Sequence, residues 1–208
     1  MFVTFEGIDG SGKSTQARKL VEYLREQGHE VVLTREPGGS PGAEEIRRML
    51  VEGDADRWSP ETELLLFNAA RRDHLERVIR PALKLGNIVI SDRFADSTRA
   101  YQGVARGDLR ALADQLHVLM IGDEPDLTLI IDIAIEEMIR RQPTQEALDA
   151  NKAQEQRFEK MGIERALRDA FLSIAQEPEY ATRCVVIDGS GTVDEVFARV
   201  LSVFEARL

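Results

Sequence analysis

The sequence predicts an α/β fold in which a five-stranded parallel sheet is flanked by helices on both faces. Three observations carry that prediction. Short apolar runs alternate with helix-period segments along almost the whole chain. Those runs are too continuously hydrophobic for strands with one face in water, so they belong in a sheet covered on both sides. The chain has 208 residues, 43% hydrophobic and 31% charged, which suffices for one well-buried core. In such folds ligands bind beyond the carboxyl ends of the strands. The segments after Glu6, Thr34, Ser91, Ile131 and Ile187 are therefore the places to look.

Phe2–Glu6 reads as the first strand, and Lys13–Gln27 as a helix with Ala17, Leu20, Val21 and Leu24 on one face. Gly28 is a fitting stop for that helix. Glu30–Thr34 is the second strand and Ala43–Val51 a short helix. Pro60–Leu85 reads as one long helix with a kink site at Pro81, ended by Gly86-Asn87. Ile88–Ser91 is the third strand, followed by helical stretches near Ser97–Gln102 and Leu109–Met120. Leu127–Ile131 and Arg183–Ile187 complete the strands. The last helix follows Gly191-Thr192, with Val193, Val196, Phe197, Val200 and Leu201 at helical spacing. One segment breaks the alternation. Gln142–Gln156 is polar, contains Pro143, has no apolar stripe and is bordered by Arg140, Arg141 and Arg157. A segment of this kind is either a solvated surface loop or a lid over a ligand. No internal repeat or linker divides the chain, so a single domain over residues 1–208 is expected, with the lid at about 140–159.

Composition excludes several classes. Asp and Glu total 37 against 27 Lys and Arg, a net charge of −10. That surface repels nucleic-acid polymers and anionic membranes, although a local group of arginines can still hold a small phosphorylated ligand. One cysteine, Cys184, makes neither an internal disulfide nor a Cys-based zinc site, which fits a reducing cytoplasm. Met1 to Gly7 carries no basic leader, and the apolar stretch Leu127–Ile135 is far short of the roughly 20 residues a membrane span needs. A soluble cytoplasmic protein is expected. His29, His74 and His117 have no metal-ligand spacing and read as surface or packing residues.

Gly7-Ile-Asp-Gly-Ser-Gly-Lys-Ser14 matches G-x-x-x-x-G-K-[ST] in full, after a strand and before a helix. Glycines let backbone N–H groups turn inward as an anion nest, and the helix N-terminus adds partial positive charge. The nucleotide-binding set is Gly7, Ile8, Asp9, Gly10, Ser11, Gly12, Lys13, Ser14 and Thr15. Lys13 reaches the β- and γ-phosphates, and Ser14 is a ligand for Mg²⁺. Phe67 and Arg71 are four apart on the long helix and so share a face. A flat ring beside a guanidinium fork suits a planar base with a carbonyl edge. Spacing alone favours a buried core role for Phe67, and a solvated face for Arg71-Arg72-Asp73-His74.

The combination of this loop with Thr34-Arg-Glu-Pro-Gly-Gly39, Leu66-Phe-Asn-Ala-Ala-Arg71, Asp92-Arg93 and Ala100-Tyr-Gln-Gly103 resembles the thymidylate kinases, bacterial type, nearly end to end. The resemblance implies a three-layer P-loop fold like that of nucleoside monophosphate kinases. It implies transfer of the γ-phosphoryl of ATP to dTMP, giving dTDP, with Mg²⁺ and a homodimer formed through helices. It further implies that Phe67 stacks on thymine and Arg71 bonds its carbonyl edge. Arg47 and Arg93 would hold the acceptor phosphate, and Tyr101 would crowd the sugar 2′ position. Asp9, Glu36, Pro37, Ser97 and Gln102 would line the acceptor site, and Asp92 would join Ser14 at the metal. The catalytic set so implied is Lys13, Arg93, Asp9, Arg157 and Arg141.

Two features of the sequence bear on that set. Positions 8–11 are Ile-Asp-Gly-Ser, with no basic residue, so a lid arginine is expected at the moving phosphate, from among Arg140, Arg141 and Arg157. Many relatives read Asp-Arg-x-Glu in the lid, whereas this chain reads Gln156-Arg-Phe-Glu159. Two other readings remain at this point. Another small-molecule kinase of the same fold would need an acceptor site without the Phe67/Arg71 pair. A GTP-dependent switch would carry Asn-Lys-x-Asp, but the chain's Asn151-Lys-Ala-Gln154 lacks the aspartate.

Overall fold

A buried first strand organises the molecule. In the computed structural model, which describes residues 1–54, 57–105, 107–141 and 164–208, β1 (Phe2–Glu6) is fully buried. It lies between β3 (Ile88–Asp92) and β4 (Leu127–Asp132), parallel to both, with Val3 opposite Ile90 on one side and Leu127 on the other. β2 (Val31–Arg35) adds outside β3, and β5 (Cys184–Asp188) outside β4, giving the parallel order β2-β3-β1-β4-β5.

The two-residue period of the strands sorts the core into layers. Val3, Phe5, Leu127, Leu129 and Ile131 face α1 (Lys13–Glu26) and the terminal helix α9 (Val193–Glu205), packing on Leu20, Leu24, Val196, Val200 and Phe204. Phe2 and Val89 face the other way, against Leu75, Ile79 and Phe94. Ile130 packs with Leu167, Phe171 and Ile174 of α8 (Glu164–Gln176). This is the expected three-layer arrangement.

Local chemistry sets the helix ends. α2 (Pro41–Val51) starts two residues before the expected Ala43 because Ser40 accepts from the Ala43 amide and Pro41 takes the first turn. α3 (Pro60–His74) starts the same way on Ser59 and Pro60. The long helix is interrupted one turn before Pro81: Leu75–Ile79 is a π-helical turn, closed by the Arg80 N–H on the Leu75 carbonyl, and α4 (Arg80–Lys84) follows. A proline ring crowds the carbonyl four residues back, here Arg77 inside that turn, and the wider turn makes room. α5 (Ala95–Ala100) starts before the expected Ser97 and passes into a second π-helical turn, Tyr101–Ala105. α6 (Arg110–Met120) and α7 (Ile135–Arg141) complete the described helices, and α9 begins with a capping box of Thr192 and Glu195. The segment expected from the sequence to be a lid continues beyond Arg141, and that part, with Gln156, Arg157 and Glu159, lies outside the described residues. Among the described residues no helix is long and apolar enough to cross a membrane.

Candidate active site

The glycine-rich loop Gly7–Gly12 joins β1 to α1, and its glycines are required by geometry. Gly7, Gly10 and Gly12 have φ of 127°, 77° and 99°. A Cβ on Gly7 would sit 2.5 Å from the carbonyl oxygen of Ile131, so the loop seats directly on the end of β4. One on Gly10 would stand 3.3 Å from Met138, where α7 packs over the loop. Lys13 is buried and bends back over the loop, its Nζ donating to the Ile8 carbonyl at 2.8 Å and lying 3.4 Å from Asp9 Oδ1. Ser14 Oγ donates to Asp92 Oδ2 across the gap between α1 and the end of β3. The first turn of α1 continues the loop, with the Thr15 amide on the Gly12 carbonyl.

Beside the loop opens a cavity. Its lining includes every acceptor-site residue expected from the sequence: Asp9, Glu36, Pro37, Arg47, Phe67, Arg71, Arg93, Ser97, Tyr101 and Gln102. Phe94 and Thr98 line it too and were not expected. A signal for them existed, since Phe94, Thr98 and Tyr101 lie at i, i+4 and i+7 around α5.

Arg93 ties the cavity to the loop. It is the one non-glycine residue of positive φ (74°) among the described residues. That conformation is costly, and several bonds hold it. The Arg93 amide donates to the Phe5 carbonyl at 2.9 Å, and Ser91 Oγ donates to the Arg93 carbonyl at 2.8 Å. Its guanidinium ion-pairs with Asp9, donates to Ser97 Oγ at 2.9 Å and lies 5.0 Å over the Tyr101 ring. Burial pushes the Asp9 carboxyl up, but Arg93 and Lys13 outweigh it and hold it below the usual range. At the far end, Arg71 is 3% exposed, and its Nε donates to Glu36 at 2.7 Å. Its Nη2 donates to the Phe94 carbonyl and Thr98 Oγ1. Phe67 is half-buried, with its ring on the cavity wall rather than in the core. Arg47 Nη1 donates to the Pro37 carbonyl at 2.8 Å.

Three buried groups support this wall without having been marked by the sequence. His74, fully buried, lies 3.0 Å from Glu36 Oε1 and 2.6 Å from Thr34 Oγ1. Glu36 is held below its ordinary pKa by Arg71 and His74 against burial, so it is an acceptor. Nδ1 of His74 therefore carries the proton it gives Glu36. A Cβ on Gly39 would run into that imidazole, which explains a glycine there. Glu63, 0% exposed, accepts from Gln102 Nε2 at 3.0 Å. Glu6, also 0% exposed, accepts from the Phe94 amide (2.7 Å), the Ser97 amide (3.3 Å) and Ser97 Oγ (2.6 Å). Burial and the neighbouring Asp96 push its carboxyl up to about 7, against the opposing pull of Ser97 and Arg93. Asp96 itself is held at about 2 despite burial, by Arg183 and Arg99.

Arg141 is not brought to this centre. Its Nη2 donates to the carbonyls of Gly189 (2.9 Å) and Gly191 (3.4 Å), and its Nε to Glu137 at 2.9 Å, pinning α7 to the β5–α9 loop. Arg140 is exposed and paired with Glu137. Arg157 lies outside the described residues.

A family model for thymidylate kinase matches residues 5–200. The chain is 62% identical over 203 residues to a thymidylate kinase of Dinoroseobacter shibae, covering 96% of this chain and 94% of the relative. It is 60% identical over 205 residues to one of Ruegeria pomeroyi, covering 98% and 93%. A crystal structure of thymidylate kinase from Ehrlichia chaffeensis superposes with a TM-score of 0.76 at 39% identity, covering 98% of each chain.

Proposed function

The chain belongs to the thymidylate kinase family, and from that premise we propose how its own residues divide the ATP-dependent phosphorylation of dTMP to dTDP. The observation that carries the division is that one cavity, opening beside the phosphate-binding loop, gathers a ring, two buried arginines and a tyrosine. ATP takes the loop, with its phosphates on the backbone N–H groups and on Lys13. The Lys13 ammonium trades the Ile8 carbonyl for phosphate oxygens when the nucleotide binds.

The acceptor lies in the cavity. Thymine stacks on Phe67, and Arg71 donates to its carbonyl edge through Nη1, since Nε and Nη2 already serve Glu36, Phe94 and Thr98. Arg47 and Arg93 hold the acceptor phosphate, while Asp9 aims the Arg93 guanidinium and Tyr101 closes the sugar side. Arg93 thus stands between the two phosphates with its direction fixed before substrate arrives, which is what phosphoryl transfer asks of a protein. An acceptor phosphate oxygen is already anionic at neutral pH, so no general base is required.

The donor set at Ser14 and Asp92, a hydroxyl on the first turn of α1 and a carboxylate at the end of β3, fits Mg²⁺. Bound there, Mg²⁺ supplies charge neutralisation at the triphosphate.

The whole chain acts as one kinase domain in this reading, with residues about 140–159 as its lid, and Arg157 supplies the lid charge. It works in the cytoplasm as a homodimer, consistent with the apolar C-terminal end of α6, where Val118 and Leu119 are 74% and 77% exposed. Phe67→Ala tests the acceptor assignment. The KM for dTMP should rise about tenfold or more, from the loss of stacking and apolar contact. An unchanged KM overturns it.

A further inference from the structure

Glu63, Phe67, Arg71 and His74 follow one another at four, four and three residues along α3, so they form a single stripe facing the cavity side. Phe67 and Arg71 serve the acceptor in the reading above. Glu63 does not line the cavity, is 0% exposed, and accepts from Gln102 Nε2 at 3.0 Å. Gln102, 1% exposed, does line it.

We propose that Glu63 is a specificity-positioning residue: by accepting from the Gln102 amide nitrogen it turns the Gln102 carbonyl oxygen toward the base as a fixed acceptor. The proposal rests on the acceptor reading of the cavity and deepens it. Arg71 has no choice of polarity, because a guanidinium only donates. A glutamine amide can present either end, so its direction must come from a neighbour. A carboxylate only accepts, and it therefore draws the NH₂ end of Gln102 to itself. The base then meets a donor from Arg71 and an acceptor from Gln102. Thymine and uracil, with a 4-carbonyl beside an N3–H, match that pair. Cytosine, with a 4-amino group beside a bare N3, opposes it at both places. A mismatch at such a buried, pre-formed pair leaves polar groups unsatisfied, and enzymes reject substrates strongly on that basis.

The test is base selectivity in Glu63→Gln. A glutamine at 63 can offer its oxygen or its nitrogen, so the polarity of Gln102 is no longer dictated. The ratio of kcat/KM for dTMP over dCMP should fall at least about tenfold. The ratio for dTMP over dUMP should hold, because these two share the same edge and differ only at the 5-methyl; general loosening of the site would move both. The swapped variant Glu63→Gln/Gln102→Glu keeps one carboxylate in the buried pair and keeps an acceptor on the base. It should return the dTMP/dCMP ratio to within a few fold of the wild type. An unchanged ratio in folded Glu63→Gln overturns the proposal, as does a swapped variant no more selective than the single one. If Glu63→Gln does not fold, the swapped variant alone decides, and loss of its selectivity overturns the proposal. Phe67→Ala separates the two levels. An unchanged dTMP KM there overturns the acceptor reading, whereas a raised KM together with unchanged selectivity in Glu63→Gln overturns only the role of Glu63.

Discussion

Replacing Glu6 by glutamine should change how stability depends on pH, in a direction opposite to that of most carboxylates. Glu6 has an ordinary pKa of 4.5 and about 7 in the folded chain. At roughly 1.4 kcal/mol per pH unit, the difference of about 2.5 corresponds to about 3 kcal/mol. The sign follows from proton counting. Between pH 4.5 and 7 the unfolded chain has released this proton while the folded chain keeps it, so stability falls as the pH rises through that window. Below 4.5 the contribution is fully present, and above about 7 it is gone. Glutamine cannot titrate, and its carbonyl can still accept from the Phe94 and Ser97 amides. Groups distant from Glu6 titrate alike in the two proteins, so the difference between them reads Glu6 and the neighbours that feel its charge, Asp96 foremost. Urea or thermal unfolding of both, from pH 4 to pH 8.5, should show Glu6→Gln gaining about 3 kcal/mol on the wild type across the range. That is roughly 6 to 12 °C in Tm for a chain of this length. A difference that stays constant to within about 1 kcal/mol refutes the reasoning, because it means the folded carboxyl ionises as in water.

Lys13→Ala should lower kcat by about a hundredfold or more while circular dichroism stays native, since the amides of the loop keep their shape without the lysine; more than about a tenth of wild-type turnover would count against the phosphate assignment. Tyr101→Ala should relax discrimination between dTMP and its ribose analogue, measured as the ratio of kcat/KM, whereas Tyr101→Phe should leave that ratio nearly unchanged. Among alanine variants of Arg140, Arg141 and Arg157, only Arg157→Ala should cut kcat strongly with the dTMP KM within a few fold, the signature of contact made in the transition state. Arg141→Ala should instead lower stability while kcat stays within a few fold, because its side chain joins α7 to the β5–α9 loop through the Gly189 and Gly191 carbonyls.

The three central strands were legible because they are buried on both faces and so read as short apolar runs, and the half-exposed edge strands β2 and β5 still carry apolar runs of their own. The phosphate loop was legible because its chemistry is local: Gly7 through Ser14 carry the whole requirement within one turn. The acceptor cavity is different in kind. Its walls come from segments as far apart as Asp9 and Gln102, and only likeness to a family connected them. Spacing put Phe67 in the core, yet its ring stands on the cavity wall, because α3 turns that face to the end of the sheet rather than to its middle. Glu63 was hidden for a simple reason. A glutamate in the first turn after Ser59-Pro60 looks like an exposed partner for the helix dipole. Yet it is buried and accepts from a residue 39 positions away. His74 read as a surface or packing residue; it is packed, but its two ring nitrogens also bridge Thr34 and Glu36. Arg141 was assigned by its neighbourhood to the lid, whereas a glutamate one helical turn back and two carbonyls claim it.

The central place of β1 has a consequence for how the molecule is made. β1 leaves the ribosome well before either strand it pairs with, since both of its neighbours are drawn from residues 88–132. The nucleotide loop inherits that delay: Gly7 rests on the carbonyl of Ile131, and the backbone of Arg93 is anchored on Phe5. A nascent chain that carries the complete nucleotide-binding signature therefore still lacks the surface against which the loop takes shape. Contacts of such long sequence separation close slowly, and an apolar strand left waiting is open to wrong association. Nucleotide affinity should consequently appear abruptly as the emerging length passes β4, rather than growing with each helix added, and a bound nucleotide would report that the middle of the chain has arrived.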